Sequence, residues 1–199
     1  MRLTNITLLF LLLFSSCMEG SSNEKSDLKT SILSNKVSKK ELYLDKDKGI
    51  VYHNKIPFSG ISVLKYGNGI LAETIMYIDG RKQYETKKWF YNGRMSYITH
   101  YLDGKQNGVS KTWWKNGILR TEATYKNGKV HGVQKQWYKS GKIFKEMNIE
   151  NGKEVGLQRA WRENGKIYNN YEAKNGRIFG LKRSKLCFKL QEEDVKNDN

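Results

Sequence analysis

Residues 108–129, with the sequence GVSKTWWKNGILRTEATYKNGK, contain two short runs of β-branched and aromatic residues separated by the turn pair Asn116-Gly117. This pattern is the strongest short-range signal for a β-hairpin that a sequence offers. A second turn pair, Asn127-Gly128, follows, and the same pattern begins again at Gly132. One unit of the chain is therefore expected to be a hairpin followed by a turn into the next hairpin.

The hairpin pattern recurs every 24 residues without an insertion. Its glycines fall at Gly69, Gly93, Gly117, Gly141 and Gly165, and a second series falls at Gly80, Gly104, Gly128, Gly152 and Gly176. A fixed short period marks a repeat array, in which each unit buries apolar surface only against its neighbours. The sequence predicts an all-β fold, an array of antiparallel β-hairpins with five repeats and terminal half-units.

The register of each hairpin decides which side chains share a face, because a slip of one residue moves every side chain across. A two-residue loop pairs Lys111 with Glu122 and Lys135 with Glu146, at about 0.2–1 kcal/mol per pair. A three-residue loop gathers apolar positions, each of which contributes roughly 1.5–3 kcal/mol when buried. We therefore favour the three-residue loop, with the following residues on one face: Val109, Lys111, Trp113, Leu119, Thr121, Ala123 and Tyr125.

Equivalent positions of successive repeats are expected to stack into ladders. Such aromatic ladders usually form the core between repeats, but a single-layer sheet leaves material exposed on its faces. A basic row beside them is either solvated charge or a surface for a polyanion. The candidate binding surface is the tryptophan ladder with this basic row: Trp89, Trp113, Trp137, Trp161, Lys87, Lys111, Lys135, Arg159 and Arg183.

Charge and composition limit the function. Residues 56–190 carry 26 Lys and Arg against 10 Asp and Glu, which favours an anionic envelope surface or an acidic protein as a partner. Protection of exposed strands by lysine explains the same excess. The carboxylates are scattered, and the three histidines show no metal-ligand spacing. We expect no enzyme activity, no cofactor and no metal.

The N-terminus has the pattern of an export signal. Arg2 precedes a short apolar run that ends at Phe14, and Ser15-Ser16 leads into Cys17. About 20 apolar residues are needed to span a bilayer, so the run is too short for a permanent transmembrane helix. Residues 14–17 resemble the bacterial lipobox, which implies lipidation of Cys17, and Met18 after it implies sorting to the outer membrane. Export disfavours nucleic acid as a ligand.

These features divide the chain into four parts. Residues 1–16 are expected to be a lipoprotein signal peptide, and residues 17–42 the lipidated cysteine with a flexible tether, because this polar segment cannot bury enough surface to fold. Residues 43–190 are expected to form the repeat array. Residues 191–199 are expected to form a disordered acidic tail.

The repeat at residues 108–129 resembles the variant MORN repeat, and residues 43–190 resemble the YwqK-type antitoxin family of toxin–antitoxin systems. The resemblance implies a MORN-like twisted open sheet or solenoid that binds membranes or proteins, without catalytic residues. We expect a noncatalytic envelope lipoprotein that binds an unknown protein partner or an anionic envelope surface. The alternative is an antitoxin or immunity protein that neutralises a toxin by direct binding.

Overall fold

The computed structural model of the chain describes residue 30 and residues 33–182. Four of the predicted features lie wholly outside these residues: the signal peptide, Cys17, Arg183 and the acidic tail at 191–199.

Within residues 33–182, 17 strands form two sheets. The strands are β1 (Lys36–Ser38), β2 (Tyr43–Asp45), β3 (Ile50–His53), β4 (Ile56–Pro57), β5 (Gly60–Lys65), β6 (Leu71–Ile78), β7 (Arg81–Trp89), β8 (Met95–Leu102), β9 (Lys105–Gln106), β10 (Gly108–Trp113), β11 (Leu119–Lys126), β12 (Lys129–Val130), β13 (Gly132–Trp137), β14 (Ile143–Glu150), β15 (Lys153–Trp161), β16 (Ile167–Lys174) and β17 (Arg177–Leu181). A single 3₁₀ turn at Lys39–Glu41 follows β1 in this part of the chain.

The larger sheet is open and follows the chain order from β5 to β17, with β9 and β12 as short side branches. Five antiparallel hairpins build it: β5–β6, β7–β8, β10–β11, β13–β14 and β15–β16. Strand β1 pairs in parallel with β5 and closes one end. The predicted fold class, an all-β array of antiparallel hairpins in an open MORN-like sheet, is confirmed.

Two kinds of turn alternate along the array. Within a hairpin, a three-residue loop brings the Gly117 N–H to the Trp114 carbonyl at 2.8 Å, and Gly117 takes a φ of 91°. Between hairpins, a two-residue turn has positive φ at both positions, as at Asp79 (48°) and Gly80 (72°), which is the type I′ geometry. Both turns need the left-handed conformation that glycine adopts without steric cost.

A β-bulge in every hairpin corrects the predicted assignment of faces. The three-residue loop is present, and Trp113 lies opposite Leu119, but Arg120 is then skipped and Thr112 lies opposite Thr121. Beyond the bulge, Lys111 lies opposite Glu122, the pairing that a two-residue loop would have produced. The prediction that Thr121, Ala123 and Tyr125 share a face with Trp113 is wrong, because the extra residue reverses the alternation.

In the third and fourth hairpins, the bulged residue packs on the aromatic residue at the start of the loop. The Arg120 guanidinium lies 4.5 Å from the centre of the Trp114 ring, and the Phe144 ring lies 5.0 Å from that of Tyr138. The same aromatic residues join neighbouring repeats, since Trp114 Nε1 donates to the Trp137 carbonyl at 3.0 Å. Tyr138 makes the equivalent bond one repeat later, at 2.8 Å from the Trp161 carbonyl. The bulge therefore supplies a packing partner for the contact between repeats.

The main apolar core lies at the N-terminal end. Strands β2, β3 and β4 form a separate sheet, and the buried side chains are Val51, Phe58, Ile75 and Tyr77. Val37 and Leu42 pack against this cluster. Because β1 and the 3₁₀ turn lie between residues 36 and 41, the predicted boundary of the tether at residue 42 is wrong, and the folded part includes Lys36.

Gly80 and Gly128 provide a matched test of how this N-terminal cap is attached. Both have positive φ, 72° and 79°, so alanine costs about 1–2 kcal/mol at either position. A Cβ at Gly80 would lie 2.6 Å from the Val51 carbonyl oxygen, whereas a Cβ at Gly128 meets nothing within 4 Å. We expect Gly80→Ala to lower the free energy of unfolding by about 1–3 kcal/mol more than Gly128→Ala in urea titrations. Equal losses of unfolding free energy in the two variants would contradict the close approach of Gly80 to Val51.

Candidate binding surface

One face of the larger sheet carries the predicted surface. The tryptophans and the basic row occupy alternate positions of the first strand in each of the last four hairpins, so they share a face, which we call the tryptophan face. The structure brings eight of the nine predicted binding residues together there: Lys87, Lys111, Lys135, Arg159, Trp89, Trp113, Trp137 and Trp161. These four tryptophans are half-buried.

The basic row is an ion-pair ladder. Lys111 Nζ lies 2.9 Å from Glu122 Oε2, on the adjacent strand of its hairpin. Glu146 contacts two cations, Lys135 at 3.6 Å and Arg159 at 2.8 Å. At the first position of the row, Lys87 contacts Glu85, and the hydrogen bond from Lys87 lowers the pKa of the Glu85 carboxyl. The row therefore presents paired charges of both signs.

A row of exposed aliphatic side chains runs beside the ion pairs, and the sequence analysis missed it. It has the same 24-residue spacing, and its first three members lie two residues before Lys111, Lys135 and Arg159, on the same face. Its members are Val109 (39% exposed), Val133 (46%), Leu157 (42%) and Leu181 (50%). The regular spacing was available in the sequence as a signal. Their exposure depended on the register that the bulge sets.

The opposite face, which we call the tyrosine face, is covered by its own side chains. Its central positions hold small residues in the first three hairpins, and Thr99 is fully buried. Tyr101 and Tyr125 lie on this face opposite Tyr84 and Gly108. Further along the array Gln158 occupies a central position and donates to the Asn148 carbonyl at 2.8 Å. A one-layer sheet thus builds a shallow second core from small polar residues beneath larger ones.

A cleft of 660 Å³ lies where the N-terminal cap meets the tyrosine face. Its lining contains six basic residues against two carboxylates, Glu73 and Asp103. We call it the basic cleft, and its cations are Lys39, Lys48, Arg81, Lys82, Lys88 and Lys105. None of these residues was among the predicted binding residues, because they come from the cap and from two successive repeats.

Glu73 lies at the base of the basic cleft and is 8% exposed. Lys39 donates to its Oε2 atom, and Lys88 Nζ lies 3.7 Å from its Oε1 atom. Lys82 Nζ lies 5.0 Å from the centre of the Tyr101 ring, and burial lowers the pKa of this lysine. Burial also raises the pKa of Tyr77 to about 12. The cleft therefore holds three lysines around one internal carboxylate.

The family model of the MORN repeat variant matches residues 106–127 and residues 130–151, which contain the third and fourth hairpins. Residues 106–151 therefore contain two variant MORN repeats, and repeats of this class suggest a binding role. No curated protein matches the chain. Among the described residues, no helix is long and apolar enough to cross a membrane. In the same part of the chain, no group of three or more potential ligands is placed to hold a metal ion.

The ion-pair ladder predicts unequal effects for two glutamates. Glu146→Gln removes the partner of two cations and Glu122→Gln that of one, and each exposed pair contributes about 0.2–1 kcal/mol. We expect Glu146→Gln to lower the free energy of unfolding more than Glu122→Gln at low salt. At about 1 M salt the losses of unfolding free energy in the two variants should become similar, because the Debye length is then about 3 Å. Equal losses at low salt would show that the second pair contributes nothing.

Proposed function

We propose that this chain is a noncatalytic binding scaffold, held at the cell envelope by a lipid on Cys17, and that its tryptophan face binds a protein partner. The observation that supports the binding surface is the row of exposed aliphatic side chains, which runs from the third hairpin to the last strand beside the ion-pair ladder. Extended apolar surface is uncommon on monomeric soluble proteins and often marks an interaction site.

The charges of this face favour a protein over an anionic membrane. An anionic surface attracts unpaired lysine and arginine, but Lys111, Lys135 and Arg159 already contact glutamates. Protein interfaces combine an apolar centre with a polar rim that fixes orientation. The aliphatic row and the ion pairs correspond to those two parts.

Neutralisation of a toxin by direct binding is the special case that the family resemblance favours. It requires the same protein-binding surface, and a location in the envelope if the chain is exported. Expression of a neighbouring reading frame that kills cells only when this chain is missing would support the antitoxin role. Harmless neighbours and a harmless deletion would contradict that role and leave the scaffold function intact.

The binding face is tested with a photo-crosslinking residue placed at Val133, at Leu157 or at Ile178 in the full chain. Ile178 is the control, because it is 46% exposed but lies on the tyrosine face opposite Ala173. We expect a discrete protein adduct from Val133 and Leu157 and none from Ile178. We also expect Val133→Asp to abolish binding of the partner so identified. Adducts with lipid alone, or equal adducts from all three positions, would contradict the proposal.

The envelope anchor is tested by fatty-acid labelling and membrane fractionation of the wild-type chain beside Cys17→Ala. We expect label and membrane location in the wild type and loss of both in the variant, because the thiol of Cys17 is the proposed acceptor of the lipid. Ser16→Ala is the control and should retain both. An unlabelled, uncleaved and soluble wild type would overturn the envelope location, and the antitoxin alternative would then be sought in the cytoplasm.

A further inference from the structure

The basic cleft is a second concave surface, on the face opposite the proposed partner surface. It concentrates positive charge that the ion-pair ladder does not offer. Lys82 is half-buried beside Tyr101, and its neighbours across the cleft are Lys39 and Lys88, which already share the carboxylate of Glu73. The ammonium group of Lys82 is therefore partly removed from water, and the negative charge near it does not fully balance it. An incoming anion would supply that charge.

Glu73 shows which chemistry this cleft accommodates. Its carboxylate is almost fully buried, and its two oxygens are contacted by different lysines. Carboxylates and lysines form charge-assisted hydrogen bonds that are roughly twice as strong as neutral ones. Two lysines of the cleft, Lys39 and Lys88, therefore already bind one glutamate side chain, that of Glu73.

The other cations of the cleft come from separate elements of the fold. Lys48 belongs to the N-terminal cap, Lys82 lies on β7, and Lys105 lies on β9 beside the turn whose Gly104 N–H donates to the Lys82 carbonyl at 2.9 Å. An extended peptide places alternate side chains about 7 Å apart, so it can present successive carboxylates to cations on different elements of one cleft.

The backbone of the cleft does not offer a phosphate nest. The Gly80 N–H donates to the Phe58 carbonyl at 2.8 Å, and the Gly104 N–H donates to the Lys82 carbonyl at 2.9 Å. The Asp103 N–H donates to Gln83 Oε1 at 2.7 Å. Phosphate sites commonly use several free N–H groups at a turn. The N–H groups of Gly80, Asp103 and Gly104 instead donate hydrogen bonds within the fold.

We propose that the basic cleft binds an extended acidic segment of a polypeptide, with alternate carboxylates contacting Lys82 and Lys105. This site is separate from the tryptophan face, and it rests on the proposed function only in taking a polypeptide as the ligand class. The cleft is expected to bind a strand that carries negative charges, whereas the tryptophan face is expected to bind an apolar surface of its partner.

The test uses the purified full chain and two synthetic peptides, one in which Glu alternates with Ser and one in which Gln alternates with Ser. Binding is measured by calorimetry at low salt and at physiological salt. We expect binding of the Glu peptide alone, and weaker binding at physiological salt because the Debye length shortens to about 8 Å. Absence of binding to the Glu peptide, or equal binding of the Gln peptide, would overturn the proposal.

Two double variants locate the site. Lys82→Gln with Lys105→Gln changes the cleft, and Lys129→Gln with Lys153→Gln removes the same charge at the positions equivalent to Lys105 in the next two repeats. We expect the first pair to weaken binding roughly fivefold or more and the second pair to leave it near the wild-type value. Equal weakening by both pairs would show attraction to net charge and would overturn the assignment.

Two further measurements keep the result interpretable. Lys82→Arg should retain binding because it keeps the charge, and Lys105→Gln alone should weaken binding even if the double variant unfolds. Pyrophosphate should compete poorly, and competition as strong as that of the peptide would assign the cleft to phosphate and overturn the proposal. Loss of the tryptophan-face partner in Val133→Asp should leave peptide binding unchanged, so the two proposals fail separately.

Discussion

The fold depends on hydrogen bonds that join each hairpin to the next, because within residues 33–182 no second layer covers most of the sheet. A hairpin alone cannot bury either of its faces, so the aromatic residue before each loop and the glycine of each type I′ turn reach into the adjacent repeat. The Gly128 N–H donates to the Gln106 carbonyl, and the Gly152 N–H donates to the Val130 carbonyl, at 2.8 and 2.9 Å. The same bond repeats at a separation of 22 residues, so an insertion between two hairpins would displace the donor from its acceptor.

The bulge in each hairpin determines what the two faces display. By adding one residue opposite Thr112 and Trp113, it keeps the tryptophan beside an aliphatic residue near the loop and places lysine beside glutamate farther along. The two registers considered for the sequence therefore both occur, in different halves of one hairpin. The result is one face with paired charges and an aliphatic row, and another with a buried row of small polar residues that ends in the basic cleft.

The 24-residue period, the two turn series and the hairpin count all followed from local chemistry in the sequence. Gly117 and the pair Asp79-Gly80 take positive φ in their turns, so the spacing of these turn pairs predicted five hairpins without reference to distant residues. The eight described residues of the candidate binding surface also share a face, because alternate positions of one strand always do. Tyr84, at a position where the other repeats carry glycine, takes a φ of 57° and so keeps the positive φ of the glycines.

The neutralisation of the basic row, the exposure of the aliphatic row and the basic cleft were decided only by the tertiary structure. Each depends on contacts between residues far apart in the chain, such as Lys39 with Glu73 or Arg159 with Glu146. Composition predicted a basic surface, but the position of each carboxylate opposite a lysine depends on a bulge that no single turn motif specifies. The sequence by itself determined the 24-residue period and the order in which the hairpins follow one another. Packing between repeats and against the N-terminal cap decided where the free charge lies, because electrostatic pairing depends on distance in space.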